Sequence, residues 1–134
     1  RLETEKTNKI TIINDCYNAS PDSMKSSIEV LMTKAASRRV AILGDMYELG
    51  SKTEEAHEEV GSFAKGKIDL LIVIGENVNN YENGFGSEHI RKFASKDDFF
   101  EEVDNLINKD DVILVKASRG MRFEEVISKL KELK

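Results

Sequence analysis

Four short apolar runs, Ile10–Asn14, Arg39–Gly44, Leu70–Gly75 and Val112–Lys116, are rich in β-branched residues and are separated by stretches with helical spacing. Their apolar character is nearly continuous instead of alternating, which is the pattern of parallel strands covered on both faces. A weaker run lies near His89–Phe93. Between the first two, Ser20 reads as an N-cap and Pro21 as the first residue of a helix carrying Met24, Ile28, Leu31, Met32 and Ala35. Thr53–Lys65 repeats the spacing with Ala56, Val60, Phe63 and Ala64. Ser95-Lys96-Asp97-Asp98 has the form of a capping box, with Asp for the usual Glu, ahead of Phe99, Val103, Leu106 and Ile107. A last helix carries Phe123, Val126, Ile127, Leu130 and Leu133, whereas Asn77–Gly86 admits either a short helix or a glycine-rich turn. Strand–helix alternation with short connections requires right-handed crossovers. It predicts an α/β chain: a single three-layer, Rossmann-like domain over residues 1–134, with an open, mostly parallel sheet and helices on both faces.

Composition narrows the function. A net charge of −5 argues against a general nucleic-acid or anionic-membrane surface, while leaving room for a local basic pocket. The single cysteine, Cys16, excludes an intrachain disulfide and fits a reducing, cytoplasmic setting. No apolar run approaches the ~20 residues of a membrane span. The chain opens at Arg1 without a methionine, and so reads as a piece of a longer protein.

Open α/β sheets collect ligands beyond the C-terminal ends of their strands, and three loops there carry chemistry. In the first, Asp15–Ser23, a strand-end carboxylate suits ribose hydroxyls, Tyr17 offers a flat face and Asn18 an amide. An Asx-type turn, in which Asp15 and Asn18 merely satisfy backbone amides, accounts for the spacing about equally well. In the second, Gly44-Asp45-Met46-Tyr47-Glu48-Leu49-Gly50, two carboxylates between glycines suit an amine, although a turn with solvated acids explains them too. The third, Lys116-Ala117-Ser118-Arg119-Gly120, leaves a strand for a helix and suits a carboxylate or phosphate. Its plain alternative is a serine cap beside two solvated cations. His57 lacks the second histidine of a zinc-protease helix, because Gly61 stands at that position. His89 has no ligand pattern, Cys16 reads as a packed thiol, and no metal site is expected.

Asp15-x-Tyr17-Asn18-Ala19-x-Pro21-x-Ser23-Met24, Gly44-Asp45-Met46-x-Glu48-Leu49-Gly50 with His57 downstream, and Lys116-x-Ser118-Arg119 together resemble the C-terminal domain of the Mur ligases. The likeness runs over essentially the whole chain and is strongest to the branch that joins D-alanyl-D-alanine to UDP-N-acetylmuramoyl-tripeptide in peptidoglycan precursor synthesis. Where that family has glycine after the lysine, this chain has Ala117, whose methyl would narrow the backbone's approach to a substrate. The resemblance implies an ATP-driven amide ligation in which a carboxylate becomes an acyl phosphate and the incoming amine displaces phosphate. It further implies Arg1 on the ATP phosphates, Asp15 on the ribose, and Tyr17 and Asn18 near the nucleotide. Lys116, Ser118 and Arg119 would meet peptide carboxylates, and Asp45 or Glu48 the dipeptide.

The sequence has no Gly-x-x-x-x-Gly-Lys-Ser/Thr and no Gly-x-Gly-x-x-Gly. In the Mur ligases a central domain supplies the P-loop and the Mg2+ ligands, and an N-terminal domain binds UDP. This chain is therefore expected to close over ATP held elsewhere and to be inactive alone. Two other readings stay open. A phosphoacceptor receiver domain shares a strand-end acid (Asp15), an Asp45-Met46 step and a strand-end Lys116. A nucleotide-binding module that works by itself is the other.

Overall fold

The computed structural model describes residues 2–134, so Arg1 and the phosphate role expected of it lie outside the described residues. The elements run β1 (Glu3–Lys6), β2 (Thr11–Asn14), α1 (Pro21–Met32), β3 (Arg38–Leu43), α2 (Thr53–Ala64), β4 (Leu70–Ile74), α3 (Val78–Phe85), β5 (Ile90–Phe93), α4 (Lys96–Leu106), β6 (Asp111–Lys116) and α5 (Glu124–Lys131). One six-stranded sheet has the order β1-β2-β6-β3-β4-β5 and is parallel throughout except for β1. The predicted architecture is the observed one. The four strong strands fall within a residue or so of their apolar runs, because those runs are buried on both faces: every residue of β4 and of β6 is buried.

Alternate residues of each strand feed two apolar layers. Ile12, Val40, Ile42, Ile72, Ile113 and Val115 pack with Phe99, Val103, Phe123, Val126 and Leu130 from the α4/α5 side. Ile13, Ala41, Leu43, Leu71, Val73 and Leu114 pack with Met24, Ile28, Leu31, Ala56, Val60, Tyr81 and Phe85 from α1, α2 and α3. Helix α1 starts where Ser20 predicts: Ser20 Oγ accepts from the Ser23 N–H at 3.2 Å, and Ser23 Oγ accepts from the Ser20 N–H at 2.9 Å. Ser95 caps α4, its Oγ accepting from the Asp98 N–H at 3.1 Å.

Two elements depart from the sequence pattern. The segment Glu3–Lys6 has no apolar residue, yet it forms β1 by pairing antiparallel with the outer edge of β2. An edge strand needs backbone partners, not burial. The ambiguous stretch is the short helix α3, which packs on α2 through bare backbone. A methyl group at Gly84 would lie 1.9 Å from the Glu58 carbonyl oxygen, and one at Gly61 would lie 2.3 Å from that of Tyr81.

The order places β6 between β2 and β3. The chain leaves β2 and β3 toward the α1/α2 face but leaves β6 toward the α5 face. Connections departing to opposite faces open a crevice at the strand ends, and there α/β sheets bind ligands.

Candidate functional site

At that crevice the loops after β2, β6 and β3 lie side by side, and they divide into a buried base and an exposed rim. The base is a charge pair. Lys116 Nζ donates to Asp15 Oδ2 at 2.8 Å and to the Asn18 carbonyl at 2.9 Å. Ser27 Oγ, from α1, donates to the same carboxylate oxygen. Asp15 is 6% exposed and Lys116 2%. Burial pushes the Asp15 carboxyl up, but the hydrogen bonds from Lys116 and Ser27, with the Lys116 charge, outweigh it and hold the group below the ordinary carboxylate range.

Asp45, next to β3, is also turned inward at 5% exposure. Its Oδ2 accepts from the Glu76 N–H at 2.9 Å, and its Oδ1 accepts from the Asn77 N–H at 2.9 Å and from Asn77 Nδ2 at 3.1 Å. The carboxylate thus closes the turn between β4 and α3. Gly75 makes room for it: φ there is +127°, and a methyl would meet Asp45 Oδ2 at 2.3 Å. Ser118, buried as well, accepts the Tyr47 N–H on Oγ at 2.8 Å, while its own N–H donates to the Asp45 carbonyl at 3.0 Å.

The rim is built from what remains. Tyr17 (57% exposed), Asn18, Tyr47 (47%), Glu48 and Arg119 all face solvent. The Arg119 guanidinium lies 5.0 Å from the centre of the Tyr17 ring, and Tyr47 lies over Gly120. So the structure brings together Asp15, Tyr17, Asn18, Lys116, Ser118 and Arg119, with Glu48 and Asp45 on the neighbouring loop. Four residues expected to offer side chains to a ligand are held by the protein itself. Asp15 and Lys116 pair with each other, Asp45 is drawn to the β4–α3 turn and Ser118 to Tyr47, because buried polar groups must find partners. Ala117 also differs from expectation: it is fully buried in the α4/α5 layer with Phe123, so its methyl faces the core. Tyr47, which none of the sequence motifs singles out as a ligand contact, stands on the same rim as an exposed aromatic of a strand-end loop.

His57 and Cys16 behave as internal groups. His57 is fully buried, with Nδ1–H donating to the Thr53 carbonyl at 2.7 Å and Nε2 accepting from the Met46 N–H at 2.9 Å. Cys16 Sγ donates to Asn14 Oδ1 at 3.0 Å, and burial, aided by Glu124 and Asp15, pushes the thiol up to about 11.

Burial also lowers the His57 pKa, against the opposing influence of Thr53 and Asp45. The unfolded chain therefore binds a proton at this position at a higher pH than the folded one does. The contribution of His57 to stability is complete above about pH 6.5 and is lost as pH falls below that value. The depressed Asp15 carboxyl adds a second loss that begins near pH 4. Melts at pH 8, 6 and 5 should show a falling Tm, with a flatter dependence in His57→Gln; equal slopes would remove His57 from the account.

The family model described as "Mur ligase, glutamate ligase domain" matches residues 1–119. The chain belongs to that family. Among curated Mur ligases, the UDP-N-acetylmuramoyl-tripeptide–D-alanyl-D-alanine ligase of Bacillus subtilis (strain 168) is 37% identical, over 98% of this chain and 30% of the relative. The enzyme of the same name from Escherichia coli (strain K12) is 36% identical, over 90% of this chain and 27% of the relative. The chain thus spans under a third of the length of these relatives. Among solved structures, MurF from Acinetobacter baumannii superposes with a TM-score of 0.91 at 27% identity, covering 98% of this chain and 30% of that one. MurF ligase from Thermotoga maritima in complex with ADP superposes with a TM-score of 0.80 at 29% identity, covering 96% and 30%. Membership in the Mur ligase family displaces the receiver reading. A buried Asp45 with three donors on its carboxylate agrees with that outcome.

Proposed function

We propose that this chain is the closing, C-terminal domain of a cytoplasmic ATP-dependent ligase that adds D-alanyl-D-alanine to UDP-N-acetylmuramoyl-tripeptide. The central ATPase domain and the N-terminal UDP-binding domain of that enzyme would lie outside residues 1–134, and this domain alone would be inactive. The observation that carries the reading is the rim of Tyr17, Asn18, Glu48 and Arg119 standing on the paired Asp15–Lys116 base at the strand-end crevice. No helix among the described residues is long and apolar enough to cross a membrane.

In this reading the nucleotide meets Asp15, Tyr17 and Asn18. An ionised Asp15 supplies the acceptor for ribose hydroxyls, and the tyrosine ring a stacking face. Arg1 keeps its expected role at the phosphates. Arg119 carries the contact to a peptide carboxylate, with Lys116 and Ser118 fixing its loop from behind. Glu48 is the exposed acid for the dipeptide's ammonium group, and Asp45 braces the turn beneath. Among the described residues no three acidic, histidine or cysteine side chains converge on a point that would hold a metal. The family resemblance assigns the Mg2+ ion to the central domain. Domain closure would bring the rim over the reacting carboxylate and exclude water from the activated acyl group.

The test is ADP release by the full-length enzyme, which should require both UDP-N-acetylmuramoyl-tripeptide and D-alanyl-D-alanine. Tyr17→Ala should raise KM for ATP about five- to tenfold, the equivalent of ~1–1.4 kcal/mol. Its Tm should hold, since the side chain is largely exposed. ATP turnover indifferent to the dipeptide would sink the reading, and an unchanged KM for ATP would take Tyr17 out of the nucleotide site.

A further inference from the structure

The loop after β3 is held at four successive residues. The Gly44 carbonyl accepts from the Tyr81 hydroxyl at 2.6 Å, and the Asp45 carbonyl accepts from the Ser118 N–H at 3.0 Å. The Met46 N–H donates to His57 Nε2 at 2.9 Å, and the Tyr47 N–H to Ser118 Oγ at 2.8 Å. His57 is itself pinned: its Nδ1–H donates to the Thr53 carbonyl, and the Tyr81 ring meets it edge-on, centroids 5.0 Å apart at 84°. Beyond these anchors the loop turns outward, with Glu48 at a left-handed φ of 63° and both Tyr47 and Glu48 in solvent. An ordinary core position here would take a leucine. A histidine adds an acceptor where the loop's buried N–H requires one.

We propose that His57 is the positioning residue of the 44–50 loop: its Nε2 holds the Met46 N–H, so that Tyr47 and Glu48 stand at the rim in the geometry that receives the incoming amine. The role at the rim rests on the ligase reading above; the anchoring of the loop does not.

Three variants of the full-length enzyme separate positioning from mere packing. His57→Leu fills the space without an acceptor. His57→Gln carries an acceptor at the same bond distance from Cβ as Nε2. His57→Asn reaches only as far as Nδ1, so it keeps the bond to Thr53 and loses the one to Met46. His57→Leu and His57→Asn should raise KM for D-alanyl-D-alanine about fivefold or more, with KM for ATP within about twofold of wild type. His57→Gln should restore most of the difference. Amide exchange at Met46 should follow the same order, slow in wild type and His57→Gln and fast in His57→Asn. A lower Tm or less active enzyme with KM for the dipeptide unchanged in both Leu and Asn variants would overturn the proposal. If His57→Leu does not fold, the Gln–Asn comparison decides by the same criterion. A wild-type enzyme that consumes no dipeptide overturns the ligase reading and the rim role with it, and exchange at Met46 then judges the anchoring alone.

Discussion

Lys116→Met is expected to destabilise the protein by about 3 kcal/mol or more, the scale for stripping one partner from a buried ion pair. The methionine fills the volume of the lysine stem, so the loss is electrostatic and not a cavity. It takes the Lys116 ammonium away from Asp15, at 6% exposure, and it frees the Asn18 carbonyl from Nζ. Two further results identify the cause. Asp15→Asn on top of Lys116→Met should recover a large part of the loss, because a neutral amide tolerates the same burial; the coupling, ~1–3 kcal/mol, is read from a double-mutant cycle in urea. The deficit of Lys116→Met should also shrink as pH falls toward 4, where the carboxyl can take a proton instead of remaining charged. Additive single and double variants would mean that the pair is spectator geometry.

Gly84→Ala is expected to cost about as much through sterics alone. A methyl 1.9 Å from the Glu58 carbonyl oxygen cannot be accommodated by a side-chain rotation, since the obstacle is backbone. Helices α2 and α3 must move apart, giving up contacts made by Val60, Tyr81 and Phe85 in the layer between them and the sheet. Overpacking of this kind costs ~3 kcal/mol or more when the neighbour cannot yield, a Tm lower by roughly 10 °C for a domain of this size. Asn83→Ala, one residue away on the exposed face of α3, raises helix propensity and should leave Tm nearly unchanged. Equal melting of Gly84→Ala and wild type would show that α2 and α3 are not in backbone contact.

These two residues also mark where the sequence could be read and where it could not. Core strands announce themselves because burial on both faces forces continuous β-branched runs, as in Leu70–Ile74. Ser20 and Pro21 announce α1 because capping chemistry is local. Gly84 does the reverse. It obscures α3, since the residue that lets two helices touch is the one that weakens a helical pattern. β1 was invisible because its only requirement is an open edge on β2. The site divides in the same way. Motif wording picked out Asp15, Lys116 and Ser118, but whether a polar side chain faces outward or pairs inward depends on partners distant in sequence. Lys116 and Asp15 are 101 residues apart. The role of His57 was hidden for that reason too, as its bond to Met46 crosses from α2 to the loop after β3.

The antiparallel run of β1 has a practical side. Its first residue, Glu3, pairs with Asn14 beside the crevice, whereas α5 runs back to the opposite pole, where Lys9 Nζ meets the Lys134 carbonyl. The two ends of the described chain therefore have unequal worth as handles. A dye or tether fixed near Glu3 would sit on the rim and report on, or obstruct, whatever docks there. Anchoring the domain to a sensor surface through the Lys134 end would leave the crevice pointing into the flow, with the length of the strands between it and the support.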